Sequence, residues 1–128
     1  MKTNKVVHFE IPAEDLMASK EFYQSVFGWK FKDWDTNYMS IITAQSDDDG
    51  KSIEPGVING GLQRRGERAV TPTIVVEVAD IDQTLKEIVE KGGVVMLEKE
   101  EMGDTGSYAQ FNDPEGNRIG LFQPSKPE

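Results

Sequence analysis

The chain contains no cysteine and a single histidine, His8, among its 128 residues. The first absence excludes thiolate catalysis, cysteine-based zinc centres and any disulfide framework, and it suits a reducing compartment. The second leaves catalytic zinc sites and two-histidine iron sites short of their usual imidazoles. No apolar run approaches the roughly 18 residues that a membrane span requires, and the opening stretch MKTNKVVHFEIPAED lacks the apolar core of a secretory signal. Basic side chains are also in the minority. The 14 Lys and Arg against 23 Asp and Glu give a formal net charge of -9, which repels phosphate backbones and anionic lipid. The expectation is a soluble cytoplasmic protein with no nucleic-acid partner and no membrane partner. The basic cluster QRRGER at 63–68 reads as a solvated loop.

What the chain does contain is a repeat. Residues 5–11 alternate, with Val7, Phe9 and Ile11 on one face of a strand and Val6, His8 and Glu10 on the other. Asp15 then opens a helix carrying Leu16, Phe22, Tyr23, Val26 and Phe27, and Gly28 ends it. Strands are expected at 29–34 and 38–44, followed by the polar loop QSDDDGKSIEPG and a short strand VINGGLQ at 57–63. The pattern recurs in TIVVEVADIDQTLKEIVEKGG at 73–93: a strand, an Asp-capped helix with Ile81, Leu85, Ile88 and Val89 on its stripe, and a glycine stop. Asp80 follows Asp15 by 65 positions (80 − 15), as Thr73 follows His8 (73 − 8). Strands at 94–99, 108–112 and 118–123 complete the second unit, the last two joined by the turn NDPEGN. The fold class is α+β: two βαβββ modules, about 5–64 and 71–123, in one domain of residues 1–128.

Strand parity assigns the candidate site. With Val7, Phe9 and Ile11 under the helix, His8 and Glu10 face a cleft, and so do Thr73, Val75 and Glu77, and Arg118, Gly120 and Phe122. Histidine's ordinary titration near about pH 6.5 suits His8 to proton transfer. Glu10 and Glu77 are candidate acids or bases, or partners for Arg118. Tyr38, Tyr108 and Phe122, with Trp34, are expected to wall a ligand pocket, whereas Phe22, Tyr23, Phe27 and Trp29 are expected in the core. The acidic tract 47–50 lacks the spaced donors of a calcium loop and reads as a hairpin tip. MGDTGS at 102–107 lacks a P-loop lysine and reads as a loop at the cleft mouth.

Together, HFEIPAEDLMASKEFYQSVFGWKF, INGGLQ, VVEVADIDQTLKEIVEKGG and FNDPEGNRIGLFQ resemble the vicinal oxygen chelate superfamily over nearly the whole chain. That group includes glyoxalase I (lactoylglutathione lyase), the extradiol dioxygenases and the bleomycin- and fosfomycin-resistance proteins. The resemblance implies an open-barrel, cleft-shaped sheet with its helices outside. It also implies four ligand places for a metal, which fall on His8, Gly60, Thr73 and Gly120. Only His8 is a good donor, so the implied metal site is largely emptied and no cofactor is expected. The alternative is a divalent metal held by His8 with Glu10 or Glu77. Three functions stay open: binding of a small organic molecule, with or without catalysis; a metal-dependent lyase or dioxygenase with nonstandard ligands; and a non-catalytic sequestering or dimerisation module. A homodimer is expected, since exposed strand edges pair readily between protomers.

Overall fold

The computed structural model describes residues 3–48 and 50–125. The chain order is β1 (Val6–Ala13), α1 (Leu16–Phe27), β2 (Lys30–Asp35), β3 (Tyr38–Ile42), β4 (Gly60–Arg64), β5 (Thr73–Glu77), α2 (Ile81–Glu90), β6 (Val94–Glu101), β7 (Gly106–Asn112) and β8 (Arg118–Pro124). This is the α+β class with two βαβββ modules. Contacts divide the chain into two units: residues up to Val7 group with those from Thr73 onward, and His8–Pro72 forms the other. Among the described residues no helix is long and apolar enough to cross a membrane.

Within His8–Pro72 the strands run in the order β2-β3-β4-β1. The β1–β4 pair is parallel, with Glu10 opposite Gly61, and β3–β4 is antiparallel, with Ser40 opposite Gly61. One face of this open sheet buries Ala13, Leu16, Met39, Ile41 and Leu62, with Phe9, Ile11, Trp29 and Phe31 packed against them. Local chemistry sets the helix ends. The Asp15 carboxylate accepts from the Ala18 amide at 3.0 Å, and Gly28 takes the left-handed conformation (φ 71°) while donating to the Gln24 carbonyl. The loop before β4 is organised by Asn59. Its carbonyl oxygen accepts from the Thr43 and Ala44 amides, and its amide donates to the Ser46 hydroxyl and the Gly50 carbonyl.

The unit containing Thr73 is built the same way, in the order β5-β8-β7-β6, with β5 parallel to β8. Its core is Val78, Ile81, Leu85, Ala109 and Leu121, joined by Val76, Ile88, Val95 and Phe111. Asp80 caps α2 through the Gln83 amide, and the Ile81 amide donates to the Gln123 side chain at 2.8 Å, tying the helix to β8. In the 113–117 turn the Asp113 carboxylate accepts from the Glu115 and Asn117 amides. These bonds lower its pKa below the ordinary aspartate value.

Several expectations are corrected. Phe22 and Phe27 are 57% and 58% exposed and Val26 is 56% exposed, so the aromatic face of α1 is not core. At about 100° per residue, Phe22 turns roughly 120° away from Leu16, the helix's only buried residue, whereas Phe27 shares Leu16's side and is exposed in the helix's last turn. Val89 is exposed for a related reason: Ile81, Leu85 and Ile88 already define the inward stripe of α2. The 102–107 segment is not wholly a loop. Gly103–Thr105 is a short 3-10 turn, and Gly106 and Ser107 begin β7 as buried residues.

Candidate functional site

β1 presents His8 and Glu10 two residues apart on the face opposite the core, as alternation requires. The His8 Nε2 atom lies 3.7 Å from the Glu10 carboxylate and 3.4 Å from the Tyr38 hydroxyl. The Tyr38 contact is less obvious, because Tyr38 is on β3 and β4 runs between β3 and β1. Adjacent strands are spaced at about 4.8 Å, so the phenol must cross an intervening strand. Gly61 makes that possible. A Cβ at this position would land on the Tyr38 hydroxyl and ring, so only the absence of a side chain lets the phenol lie over β4 and reach His8.

The three groups differ in environment. Burial holds the Tyr38 phenol well above the ordinary tyrosine range, and the Glu10 carboxylate pushes it the same way, so this group is a neutral hydrogen-bonding phenol at any physiological pH. Glu10 is largely covered, with 13% of its side chain exposed, and His8 is more open at 31%. An incoming molecule therefore meets the imidazole first.

Gly60 had been expected at the place of a metal ligand, but it faces the core, where an added Cβ would strike the Phe9 ring and carbonyl. The residue on the His8 face is Gly61. The register error has a physical origin in the Gly60-Gly61 doublet, and the core residues resolve it. Leu62 and Leu121 are 0% and 2% exposed in their respective cores, which makes Gly61 the counterpart of Gly120.

The unit containing Thr73 repeats this device independently. Gly120 lies opposite Val75 on β5 and Gln110 on β7, and an added Cβ would meet the Tyr108 hydroxyl at 3.0 Å. The correspondence is residue by residue: Tyr38 pairs with Gln63, two beyond Gly61, and Tyr108 pairs with Phe122, two beyond Gly120. Tyr108 is 6% exposed, so it is less a pocket wall than part of a buried network. Its hydroxyl accepts from the Gln110 amide at 2.7 Å. The Gln110 carbonyl accepts from Arg118 Nη1 at 2.8 Å, and Arg118 Nε donates to Asn112 at 3.0 Å. Thr73 is buried on the same face, with Glu77 and Phe122 beside each other in register. Gln110 and Asn112 were missed from sequence, although their even spacing from Tyr108 on one strand was a readable signal.

Trp34 is not a pocket wall of the His8 group. It is 63% exposed on β2, donates its indole N–H to the Ser40 hydroxyl, and carries the Lys32 ammonium 5.7 Å from its ring centre. Near it opens a depression of about 680 Å³ rimmed by Glu14, Asp15, Asp33 and Asp35, separate from His8. Two of these carboxylates already serve local structure: Asp15 caps α1 and Asp35 accepts from the Asn37 amide. The His8 group brings together a carboxylate, an imidazole and a phenol on one face. Among the described residues no group of three or more His, Asp or Glu is placed to hold a metal ion.

The family model described as Glyoxalase/Bleomycin resistance protein/Dioxygenase superfamily matches residues 5–121. Proteins named "Putative glyoxylase CFP32" from Mycobacterium bovis and Mycobacterium tuberculosis are 26% identical over 117 residues, covering 91% of this chain and 44% of theirs. The chain thus spans less than half the length of these relatives. Among solved structures, a methylmalonyl-CoA epimerase from Streptomyces coelicolor bound to 2-nitronate-propionyl-CoA is similar, with a TM-score of 0.68 at 19% identity over 99% of both chains. Methylmalonyl-CoA epimerase from Mycobacterium tuberculosis gives a TM-score of 0.63 at 16% identity, covering 94% of this chain and 88% of that one. These structural likenesses establish the fold.

Proposed function

The chain belongs to the Glyoxalase/Bleomycin resistance protein/Dioxygenase superfamily, and from that premise we propose that it binds a small organic molecule over His8, Glu10 and Tyr38 without the divalent metal often used in such proteins. The observation that carries this reading is the pair of covered glycines. Where the resemblance calls for ligands at the ends of the two modules stand Gly61 and Gly120, each overlain by a tyrosine hydroxyl. Thr73 offers only a neutral hydroxyl, which leaves His8 as the one good donor of the four. That donor set does not fit a catalytic divalent metal.

The remaining chemistry is that of hydrogen bonding and proton transfer. Glu10 is a covered acceptor, His8 an accessible group able to take up and return a proton, and Tyr38 a phenol that stays protonated beside them. A ligand with a carbonyl or hydroxyl group on an apolar body suits this set. The absence of cysteine suits a cytoplasmic setting.

The test combines elemental analysis of the purified protein with thermal unfolding in the presence of Ni, Zn, Mn, Fe(II) or Co, and then of a panel of small carbonyl and aromatic compounds. It compares wild type with His8→Ala. The expected result is no metal shift that depends on His8, and stabilisation by one or more organic compounds that the variant loses. One tightly held metal equivalent, lost in His8→Ala, would overturn the reading in favour of a metal-dependent lyase or dioxygenase. Stabilisation by no compound at all would favour a non-catalytic module.

A further inference from the structure

Asn59 stands beside His8 and spends its whole carboxamide on the loop that leaves the sheet there. Gly60 pairs with Phe9 on β1 and with Ile41 on β3, so one step further along both registers sets His8 and Ile42 on either side of Asn59. Gly60 and Ile41 face the core, so alternation turns Asn59 and Ile42 to the face that carries His8. There the Asn59 carbonyl oxygen accepts from the Thr43 amide at 2.8 Å and the Ala44 amide at 3.1 Å, while its Nδ2 donates to the Ser46 hydroxyl at 2.7 Å and the Gly50 carbonyl at 3.0 Å. Acceptor and donor are both used, a set that aspartate, with no donor, cannot reproduce. The Thr43 hydroxyl closes the neck of the loop by donating to the Ile58 carbonyl at 2.6 Å.

The loop held in this way brings apolar surface to the same face. Residues 57–59 carry no turn and run directly into β4, so alternation puts Val57 on the side of Asn59 and Gly61, and Ile58 on the side of Gly60. Val57 is 36% exposed and Ile42 is half-buried, so both keep surface open to water next to Asn59. At about 3.3 Å per residue, Val57 lies roughly 7 Å beyond the level of His8, in the direction away from Glu10. Polar groups therefore gather at the Glu10 end of this face and apolar ones at the Val57 end, with His8 at their junction.

The geometry points to Ile42 and Val57 as the surface that receives an aliphatic tail of the ligand, with Asn59 as the residue that positions it. This rests on the reading that His8, Glu10 and Tyr38 hold the ligand's carbonyl or hydroxyl group. The ligand class is then a carbonyl compound with a tail of about five carbons, matched to the two-residue span from Asn59 to Val57.

The experiment is an NMR titration of the isotope-labelled full chain with methyl ethyl, methyl pentyl and methyl heptyl ketone, on wild type, Val57→Thr, Asn59→Asp and His8→Ala. Shifts of the His8, Ile42 and Asn59 amides locate the ligand and give its dissociation constant. Full burial of a methylene is worth about fourfold in affinity and a one-sided wall about twofold, so the wild-type constant should fall roughly eightfold from the ethyl to the pentyl ketone and little further for the heptyl. Val57→Thr keeps the side chain's shape but adds a hydroxyl. Asn59→Asp keeps the acceptor for the Thr43 and Ala44 amides and loses the donors to Ser46 and Gly50. In each of these two variants the gain should shrink to about threefold or less, and His8→Ala should lose the shifts with every ketone. Binding that needs His8 but keeps its full length dependence in Val57→Thr overturns the tail site and leaves the His8 reading standing. No ketone-induced shift at His8 in wild type overturns both. An equal loss for all three ketones in Asn59→Asp overturns the positioning role of that residue. Should Asn59→Asp not fold, Val57→Thr decides alone, since it changes an exposed side chain for one of the same shape.

Discussion

Substituting Gly61→Ala tests whether the Tyr38 phenol occupies the space over β4. Two effects oppose each other. Replacing a strand glycine by alanine restricts the unfolded chain and by itself stabilises by about 0.5–1 kcal/mol. The added Cβ, however, falls on the Tyr38 hydroxyl and ring, and the phenol cannot stay where it is. Tyr38 must swing off β4 and give up its covered position and its 3.4 Å contact with His8. Overpacking and the lost hydrogen bond together cost about 2–3 kcal/mol, for a net loss of about 1–2 kcal/mol. With a urea dependence of about 2 kcal/mol per molar, the midpoint falls by roughly 0.5–1 M. The decisive comparison is the same substitution in a Tyr38→Ala background, where the obstruction is gone. There Gly61→Ala should be neutral or stabilising, which makes the coupling between the two sites about 2 kcal/mol. Urea unfolding of all four proteins measures it. An equal cost of Gly61→Ala in both backgrounds would refute the placement of the phenol.

Two further outcomes follow from the same geometry. The Tyr38 phenol holds its proton more tightly when folded than an ordinary tyrosine, which titrates near 10.0. Its contribution to stability is therefore complete below about pH 10 and is lost as pH rises from there through the higher folded value. Urea midpoints taken between pH 9 and 11 should fall more steeply for wild type than for Tyr38→Phe, and parallel curves would contradict the assignment. In the other unit, Gln110 is 1% exposed and serves both the Tyr108 hydroxyl and Arg118. Gln110→Ala should therefore cost about 2–3 kcal/mol in equilibrium unfolding, and a change below about 0.5 kcal/mol would show the network to be energetically idle.

Much of this architecture was legible in the sequence because it rests on short-range rules. Asp15 and Asp80 cap their helices through amides three residues on, and Gly28 supplies the left-handed stop, all interactions within one turn of chain. Alternation likewise placed His8 and Glu10 opposite Phe9 and Ile11, since a strand has only two faces. Reading failed at two places. The Gly60-Gly61 doublet has no side chains of its own to tell its members apart; Leu62 sets the parity, and the structure shows its consequence in Phe9 on one side of β4 and Tyr38 on the other. The helix face went wrong because its deciding neighbours are far along the chain. Phe22 and Phe27 look like core residues by type, but whether an aromatic is covered depends on what stands opposite it.

The sequence by itself determined the two βαβββ modules, their helix limits and the faces of their strands, because capping, glycine stops and period-two alternation act between near neighbours. Only the tertiary structure decided that a tyrosine lies over a glycine in each module, that Gln110 joins Tyr108 to Arg118, and that the aromatic face of α1 stands in water. Those features depend on register between strands distant in sequence. A one-residue slip there moves every side chain to the opposite face while leaving the local pattern unchanged.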